Sequence, residues 1–377
     1  MGYWADVAVP GGALLARRGY GTEGKFDEGT TMASTATTSL RNAYRLQDTV
    51  ILSATAVEAP ERVTSAWIDE QLSETYSRLS MTPGKFEELA GVVARRWWPS
   101  GVSFIDGAAE AGAKALAEAG VEPGQVGLLI NTSVSKDHLE PSAAVQVHDA
   151  IGLPATCLNF DISNACLGFI NGMQVAGTMI DAGQIDYALI VNSENIRGLQ
   201  EKAIARLQRP ETTVAEVREQ FATLTLGCGA TAMVLGRGDQ SSGGHRLLGG
   251  THKSATHHHD LCVGDLSFMR TDTRGLFEAG LALALETFED SAEEFGWHEV
   301  DHLVSHQTSL VHIAALCARL GLDQAKFPLS LPEFGNMGPA AAPFTLATSQ
   351  DRFEPGDRVM MLGIGSGLNT SFADILW

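Results

Sequence analysis

Strand-like and helix-like signals alternate along this chain, and the alternation runs twice. Apolar runs suited to strands stand at 49–57, 126–134, 156–162, 186–193 and 229–236, with helical periodicity at about 64–79, 103–119, 141–151 and 166–182. The later part repeats the theme, with strands expected at 245–251, 301–306, 357–364 and 369–376 and helices at about 274–296, 309–320 and 339–350. Such alternation predicts an α/β fold, a parallel or mixed sheet covered by helices on both faces. The two series end in comparable hairpin-like pairs, 186–193/229–236 and 357–364/369–376, which predicts two similar halves packed together. Residues 194–226 break the rhythm as a long, charged, helical insertion between adjacent strands, of the kind that shapes a pocket or lid. The expected organisation is an N-terminal half at 45–240 and a C-terminal half at 241–377. Residues 1–44, rich in Gly, Thr, Ala and Ser and without steady periodicity, read as a disordered extension with no secretory signal.

Composition narrows the function classes. A chain of 377 residues with 44% hydrophobic and 19% charged residues can bury a large core. No apolar run reaches the roughly 18 residues of a membrane span. A formal net charge of −19 argues against nucleic acid as a partner, which needs a concentrated basic face. An anionic substrate would need a local basic patch. Arg95-Arg96, followed by Trp97-Trp98, is one candidate for phosphate contacts; Arg197, Lys202, Arg206 and Arg209 form another, and either could be a solvated helix face. The five cysteines are scattered without a C-x-x-C pair, which argues against a disulfide frame or zinc site and fits a reducing, cytoplasmic setting. His257-His258-His259-Asp260 reads as a solvated loop, because three adjacent residues cannot converge on one ion, so no metal is expected.

The chemistry concentrates in three places. The apolar strand ending at Ile162 stops at a short polar turn, and a helix of small residues opens with Cys166 at its first turn. The positive end of a helix favours thiolate over thiol, so Cys166 is a candidate nucleophile; the alternative is a buried structural cysteine. Far downstream, Val304-Ser305-His306-Gln307 ends a strand in a histidine, and Gly335-Asn336-Met337-Gly338-Pro339 sets an asparagine in a glycine-rich turn. Singly these are ordinary strand ends and turns. Together, Cys, His and Asn suit carbon–carbon bond formation through an acyl-thioester: the thiolate holds one acyl group, and N–H donors stabilise the enolate-like oxygen of the second substrate.

On these residues the chain resembles the condensing enzymes of the thiolase superfamily. The segments around Cys166, His306-Gln307 and Gly335–Pro339, with the glycine-rich Gly363–Asn369 turn, are similar to the ketoacyl synthase III branch from about Thr49 to Trp377. The runs Asn131–Ser142 and Leu224–Gly229 resemble the OleA group within that branch. The resemblance implies a thiolase-like fold with a duplicated, five-layered α-β-α-β-α architecture. It implies no cofactor, with coenzyme A thioesters as substrates, and a homodimer. It further implies an oxyanion hole from the backbone N–H groups of Cys166 and Ser366.

Glu140 bears on the reaction type. A synthase III that condenses a malonyl group makes its carbanion by losing CO₂, whereas two fatty acyl-CoA molecules require a base for the α-proton. By the OleA resemblance, Glu140 is that base, reaching into the active site of the neighbouring subunit; alternatively it is a solvent-facing residue before a helix. The implied function is head-to-head, non-decarboxylative Claisen condensation of two long-chain acyl-CoA molecules to a β-keto acid, the first step of olefin biosynthesis, with downstream hydrocarbon-pathway enzymes as partners. The alternatives are a decarboxylating 3-oxoacyl synthase III and a non-catalytic acyl-binding partner subunit.

Overall fold

The computed structural model describes residues 42–240, 243–265 and 267–377. The predicted extension at 1–44 lies almost wholly outside them. Its last residues do not fit that reading: Ala43–Arg45 form a strand paired antiparallel with Thr251, Gly250 and Gly249. The ordered chain therefore includes residues just ahead of the expected boundary.

The duplication is visible in strand pairing. In the first half Thr49–Glu58 pairs antiparallel with Gly229–Arg237, which pairs antiparallel with Tyr187–Glu194, which pairs parallel with Leu128–Asn131. In the second half His245–Ser254, Asn369–Leu376, Arg358–Gly365 and His302–Ser305 repeat that order and those directions. The first half adds Leu158–Asp161 as a parallel edge strand. The half-sheets join where Val50 and Ile51 pair with Arg246 and His245. Tyr187–Glu194 and Gly229–Arg237 are buried almost throughout, which is why they read as continuous apolar runs and not as alternating strands.

Five layers follow. Helices Phe104–Ala119 and Ala143–Ile151 cover the outer face of the first half-sheet. Gly168–Asp181 and Ala341–Thr348 lie between the half-sheets, each touching strands of both. Thr273–Glu289 packs on the outer face of the second half-sheet, with Leu310–Leu320 against it. Burial explains the composition of the middle layer. Phe169, Met173, Ala176 and Ile180 sit in the largest core cluster with Ile130 and Ile190 of one half-sheet and Met361 and Ala373 of the other. Small residues in the same helix let it lie close on the first half-sheet: a Cβ on Gly172 would stand 3.2 Å from both Ile190 and Thr132 side chains.

The insertion folds into three helices, Arg197–Leu207, Val214–Glu219 and Phe221–Thr225. They share an apolar cluster with Ile68, Leu72, Tyr76 and Phe86 of the first half. Two short antiparallel pairs go unmarked by the sequence pattern: Glu61–Thr64 with Ala94–Trp97, and the hairpin Cys262–Gly264 with Met269–Thr271. Three- and four-residue strands carry too little pattern to separate from loop.

The middle layer makes a direct prediction. Met173→Ala should cost about 2–5 kcal/mol in urea unfolding, because Met173 is fully buried between the half-sheets. Thr178→Ala, on the exposed side of the same helix, should change stability by no more than about 0.5 kcal/mol. Equal effects would contradict the central position of this helix.

Candidate active site

Cys166 sits just ahead of its helix, not within its first turn as expected. Leu167 is the N-cap and the helix runs Gly168–Asp181. The turn is tight: Ala165 has φ +44°, and the Leu167 N–H donates to the Asn164 carbonyl at 2.9 Å. A non-glycine residue at positive φ is strained, and such strain is common where a side chain must be presented. The turn is braced by Asn164, whose Nδ2 donates to Asn171 Oδ1 at 2.7 Å and whose Oδ1 accepts from Asn369 Nδ2 at 3.3 Å.

The second half meets this turn through the strand Arg358–Gly365. A Cβ on Gly363 would lie 2.5 Å from Leu167 Cδ2, and one on Gly365 3.0 Å from Leu167 Cγ. Only glycine permits that approach. On the parallel neighbour, the strand His302–Ser305 runs directly into His306, whose N–H donates to the Leu362 carbonyl at 2.9 Å. One strand thus anchors His306 through its edge while its glycines receive the nucleophile turn. Ser366 follows Gly365 in this turn and is partly exposed.

Asn336 is fixed from the other side. Its N–H donates to Thr225 O at 2.9 Å and its carbonyl accepts from Gly227 N at 2.9 Å, both at the end of the insertion. The Gly227 backbone packs so closely that a Cβ there would stand 1.8 Å from Phe334 O. Asn336 Oδ1 accepts from Gly338 N at 2.9 Å and lies 3.0 Å from His306 Nε2. An oxygen already accepting an N–H identifies the amide orientation, so Nε2 carries the proton and donates to it. The Asn336 Nδ2 then makes no hydrogen bond among the described residues. His306 and Asn336 meet side chain to side chain, which makes the imidazole N–H and the amide N–H candidate donors.

Electrostatics alters one expectation. Burial pushes the Cys166 thiol up to about 12, with the Cys262 thiol and the Glu194 carboxylate adding to it. The helix end does not overcome this desolvation, so the resting group is a thiol. Burial also lowers His306 below its ordinary value, although Asn336 and the Ile364 carbonyl favour its protonated form. The imidazole is therefore neutral near pH 7.

Glu194 and Asp161 were not singled out from the sequence. Glu194 ends the strand Tyr187–Glu194, and burial pushes its carboxyl up to about 7 despite the donors around it. Asp161 ends the edge strand; burial works to raise its pKa, but Lys136, the Ala144 and Ala143 N–H groups and Asn131 together hold it below its ordinary value. The signal available was a carboxylate closing an otherwise apolar strand.

The other candidates divide. Glu140 is exposed on the loop after Leu128–Asn131. Arg95 does not suit phosphate binding: it is fully buried, donates to Val63 O at 3.5 Å and Ser65 Oγ at 3.2 Å, and burial lowers it to about 10. Arg96 stacks over Phe334 at 5.1 Å with Glu58 4.0 Å away. Arg197 is held by Glu61 and Glu201, each at 2.9 Å. Trp97 and Trp98 donate to Gln200 Oε1 and the Glu194 carbonyl, a structural use of both indoles. The His257 and His258 rings lie 4.0 Å apart, tilted by 42°, in the short helical turn Thr256–His258. Among the described residues no His/Cys/Asp/Glu group could hold a metal, and no helix is long and apolar enough to cross a membrane.

The duplicated fold, with the Cys166 turn packed on the strand that fixes His306, is that of a thiolase-like condensing enzyme. Residues 160–206 match the model of 3-oxoacyl-[acyl-carrier-protein] synthase III, and residues 291–377 match its C-terminal model. The chain is 43% identical to the acyl-CoA:acyl-CoA alkyltransferase of Xanthomonas campestris, over 88% of this chain and 99% of that protein. It is 34% identical to the Shewanella oneidensis enzyme of the same name, over 87% and 99%. A solved Xanthomonas campestris OleA with bound cerulenin superposes with a TM-score of 0.87 at 43% identity, covering 88% of this chain and 98% of that one. A cysteine-to-serine variant of it, solved with lauric acid and lauroyl-CoA, gives 0.87 at 42% identity over 88% and 100%. The chain belongs to the OleA family of acyl-CoA:acyl-CoA alkyltransferases. More distant relatives include β-ketoacyl-[acyl-carrier-protein] synthase III of Rubrobacter xylanophilus, 28% identical over 74% of this chain and 84% of that one.

The raised thiol predicts how Cys166 reacts in the free protein. Its alkylation by iodoacetamide, followed at the Cys166 peptide by mass spectrometry, should accelerate about tenfold per pH unit from about pH 7 to about pH 10 without a plateau. A plateau below about pH 8 would mean that the helix end prevails over burial.

Proposed function

We propose that this protein joins two long-chain fatty acyl-CoA molecules head to head without decarboxylation. The observation that carries the reading is a site with a nucleophile and two N–H donors in a chain with 43% identity to an acyl-CoA:acyl-CoA alkyltransferase. Cys166 attacks the carbonyl of the first acyl-CoA, an acyl–sulfur bond forms, and CoA leaves with the thiol proton. Backbone N–H groups of Cys166 and Ser366 hold the oxyanion. A second acyl-CoA directs its thioester oxygen at Asn336 Nδ2 and at His306 Nε2–H, which leaves Asn336 Oδ1 to reach it. A base removes its α-proton, the carbanion attacks the acyl-Cys carbonyl, and the carbon–sulfur bond breaks to return Cys166. The product is a 2-alkyl-3-ketoacyl thioester, which hydrolysis converts to a β-keto acid.

Neutral donors suit this chemistry, since the charge develops only on the substrate oxygen. In our reading Glu140 of the partner subunit is the base. Two observations support it. Solved variants of the Xanthomonas enzyme replace a glutamate and a cysteine separated by the same number of positions as Glu140 and Cys166. Leu139 is 92% exposed, and the neighbouring edge strand carries Leu158 at 51%. Apolar groups on an open sheet edge favour covering by another chain. The proposed assembly is a homodimer in the cytoplasm that passes its product to later hydrocarbon-forming enzymes.

Incubation with myristoyl-CoA alone should release CoA and yield the symmetrical long-chain ketone left when the β-keto acid loses CO₂. A requirement for a malonyl donor would instead indicate a decarboxylating enzyme. Glu140→Ala should still acylate Cys166, seen by intact-protein mass, yet form no ketone; normal turnover in that variant would remove Glu140 from the mechanism. Cys166→Ala should do neither.

A further inference from the structure

Three parallel strands of the first half end side by side, and the loop bearing Glu140 leaves the middle one. Asn131 closes Leu128–Asn131 and pairs in register with Asp161 on one side and Val191 on the other. The outer two strands each end in a carboxylate, Asp161 and Glu194. Both carboxylates grip the intervening loop.

Glu194 takes its start. The two carboxylate oxygens accept from Val134 N at 2.8 Å, Ser135 N at 2.9 Å and Ser135 Oγ at 2.6 Å. Around it, Ser133 Oγ accepts from Ser193 N at 3.0 Å and Ser135 Oγ accepts from Asn195 N at 2.9 Å, so residues 133–135 are laced to 193–195. Asp161 takes both sides of the excursion that follows. It pairs with Lys136 before Glu140 and accepts from Ala143 N at 3.0 Å and Ala144 N at 2.9 Å after it. Asn131 Nδ2 adds a further donor at 3.1 Å. One carboxylate therefore closes the base of a short loop whose exposed tip holds Glu140.

This arrangement exceeds what the loop's own packing needs. The tip residues Asp137–Glu140 are exposed, and a single buried tether would keep the chain on the surface. Two tethers, one on the strand leading to Cys166 and one at the end of Tyr187–Glu194 in the same sheet, fix the loop to the frame that carries the nucleophile turn. Charge-assisted hydrogen bonds of this kind are short and directional, which suits a positioning role. An α-proton transfer demands that precision, because a shift of about 1 Å can cost on the order of a hundredfold in rate.

We infer that Asp161 and Glu194 are positioning residues for Glu140, holding its loop in register with the site it serves across the subunit boundary. The inference rests on the reading of Glu140 as the base. Glu194→Gln removes one strong acceptor, and Lys136→Met frees the leading side of the loop while Asp161 keeps its backbone donors. Lys136→Met should acylate Cys166 from myristoyl-CoA within about twofold of the parent rate, while ketone formation falls about tenfold to a hundredfold in each variant. Hydrogen–deuterium exchange should rise in the segment around residues 133–142 and stay unchanged in the central helix Gly168–Asp181.

A general structural role would instead slow acylation and condensation together and raise exchange broadly, and would overturn the assignment. So would condensation at the parent rate in both variants. Normal condensation by Glu140→Ala overturns the base reading and this inference together. Loss in Glu140→Ala with normal condensation in Glu194→Gln and Lys136→Met overturns the clamp alone.

Discussion

The contact between the nucleophile turn and the strand Arg358–Gly365 is the constraint on which the site depends. Leu167 presses against Gly363 and Gly365, where any side chain would collide with it. Through that approach the first half delivers Cys166 to the strand that fixes His306 in the second. Neither half holds a complete site. The duplicated fold is therefore the means by which groups far apart in the chain meet, and the central helices, which touch both half-sheets, set the spacing.

Burial, more than formal charge, governs the chemistry available there. It raises the Cys166 thiol and lowers His306, so both reacting groups rest neutral. Neutral resting groups concentrate stabilisation on the oxygen where charge appears during reaction. The insertion contributes through the backbone, since Thr225 and Gly227 fix Asn336. Glu140, the base in the proposed reaction, is exposed on its loop. That loop is governed by two carboxylates inside the fold, which ties an exposed group to a buried frame.

The site was readable in part because its chemistry sits at element boundaries. Cys166, His306 and Asn336 each lie where a strand or turn gives way to a helix, and boundaries leave marks in sequence: polar interruption, glycine, a change of period. Glu194 and Asp161 also end strands, but a lone carboxylate at a strand end has many ordinary uses, so its partners had to be seen. Arg95 shows the reverse failure. Its position next to Arg96 and two tryptophans suggested an exposed phosphate site, yet a four-residue strand turns Arg95 inward to Ser65 and turns Arg96 toward Phe334.

The sequence by itself determined the α/β alternation, the repeated strand pairs, the insertion and which cysteine, histidine and asparagine stand as candidates for the site, because these rest on local periodicity and short-range motifs. Tertiary structure alone decided the protonation of Cys166, the fate of each arginine and the double grip on the Glu140 loop. Those depend on desolvation and on partners brought together from distant parts of the chain, and neither is encoded within a window of neighbouring residues.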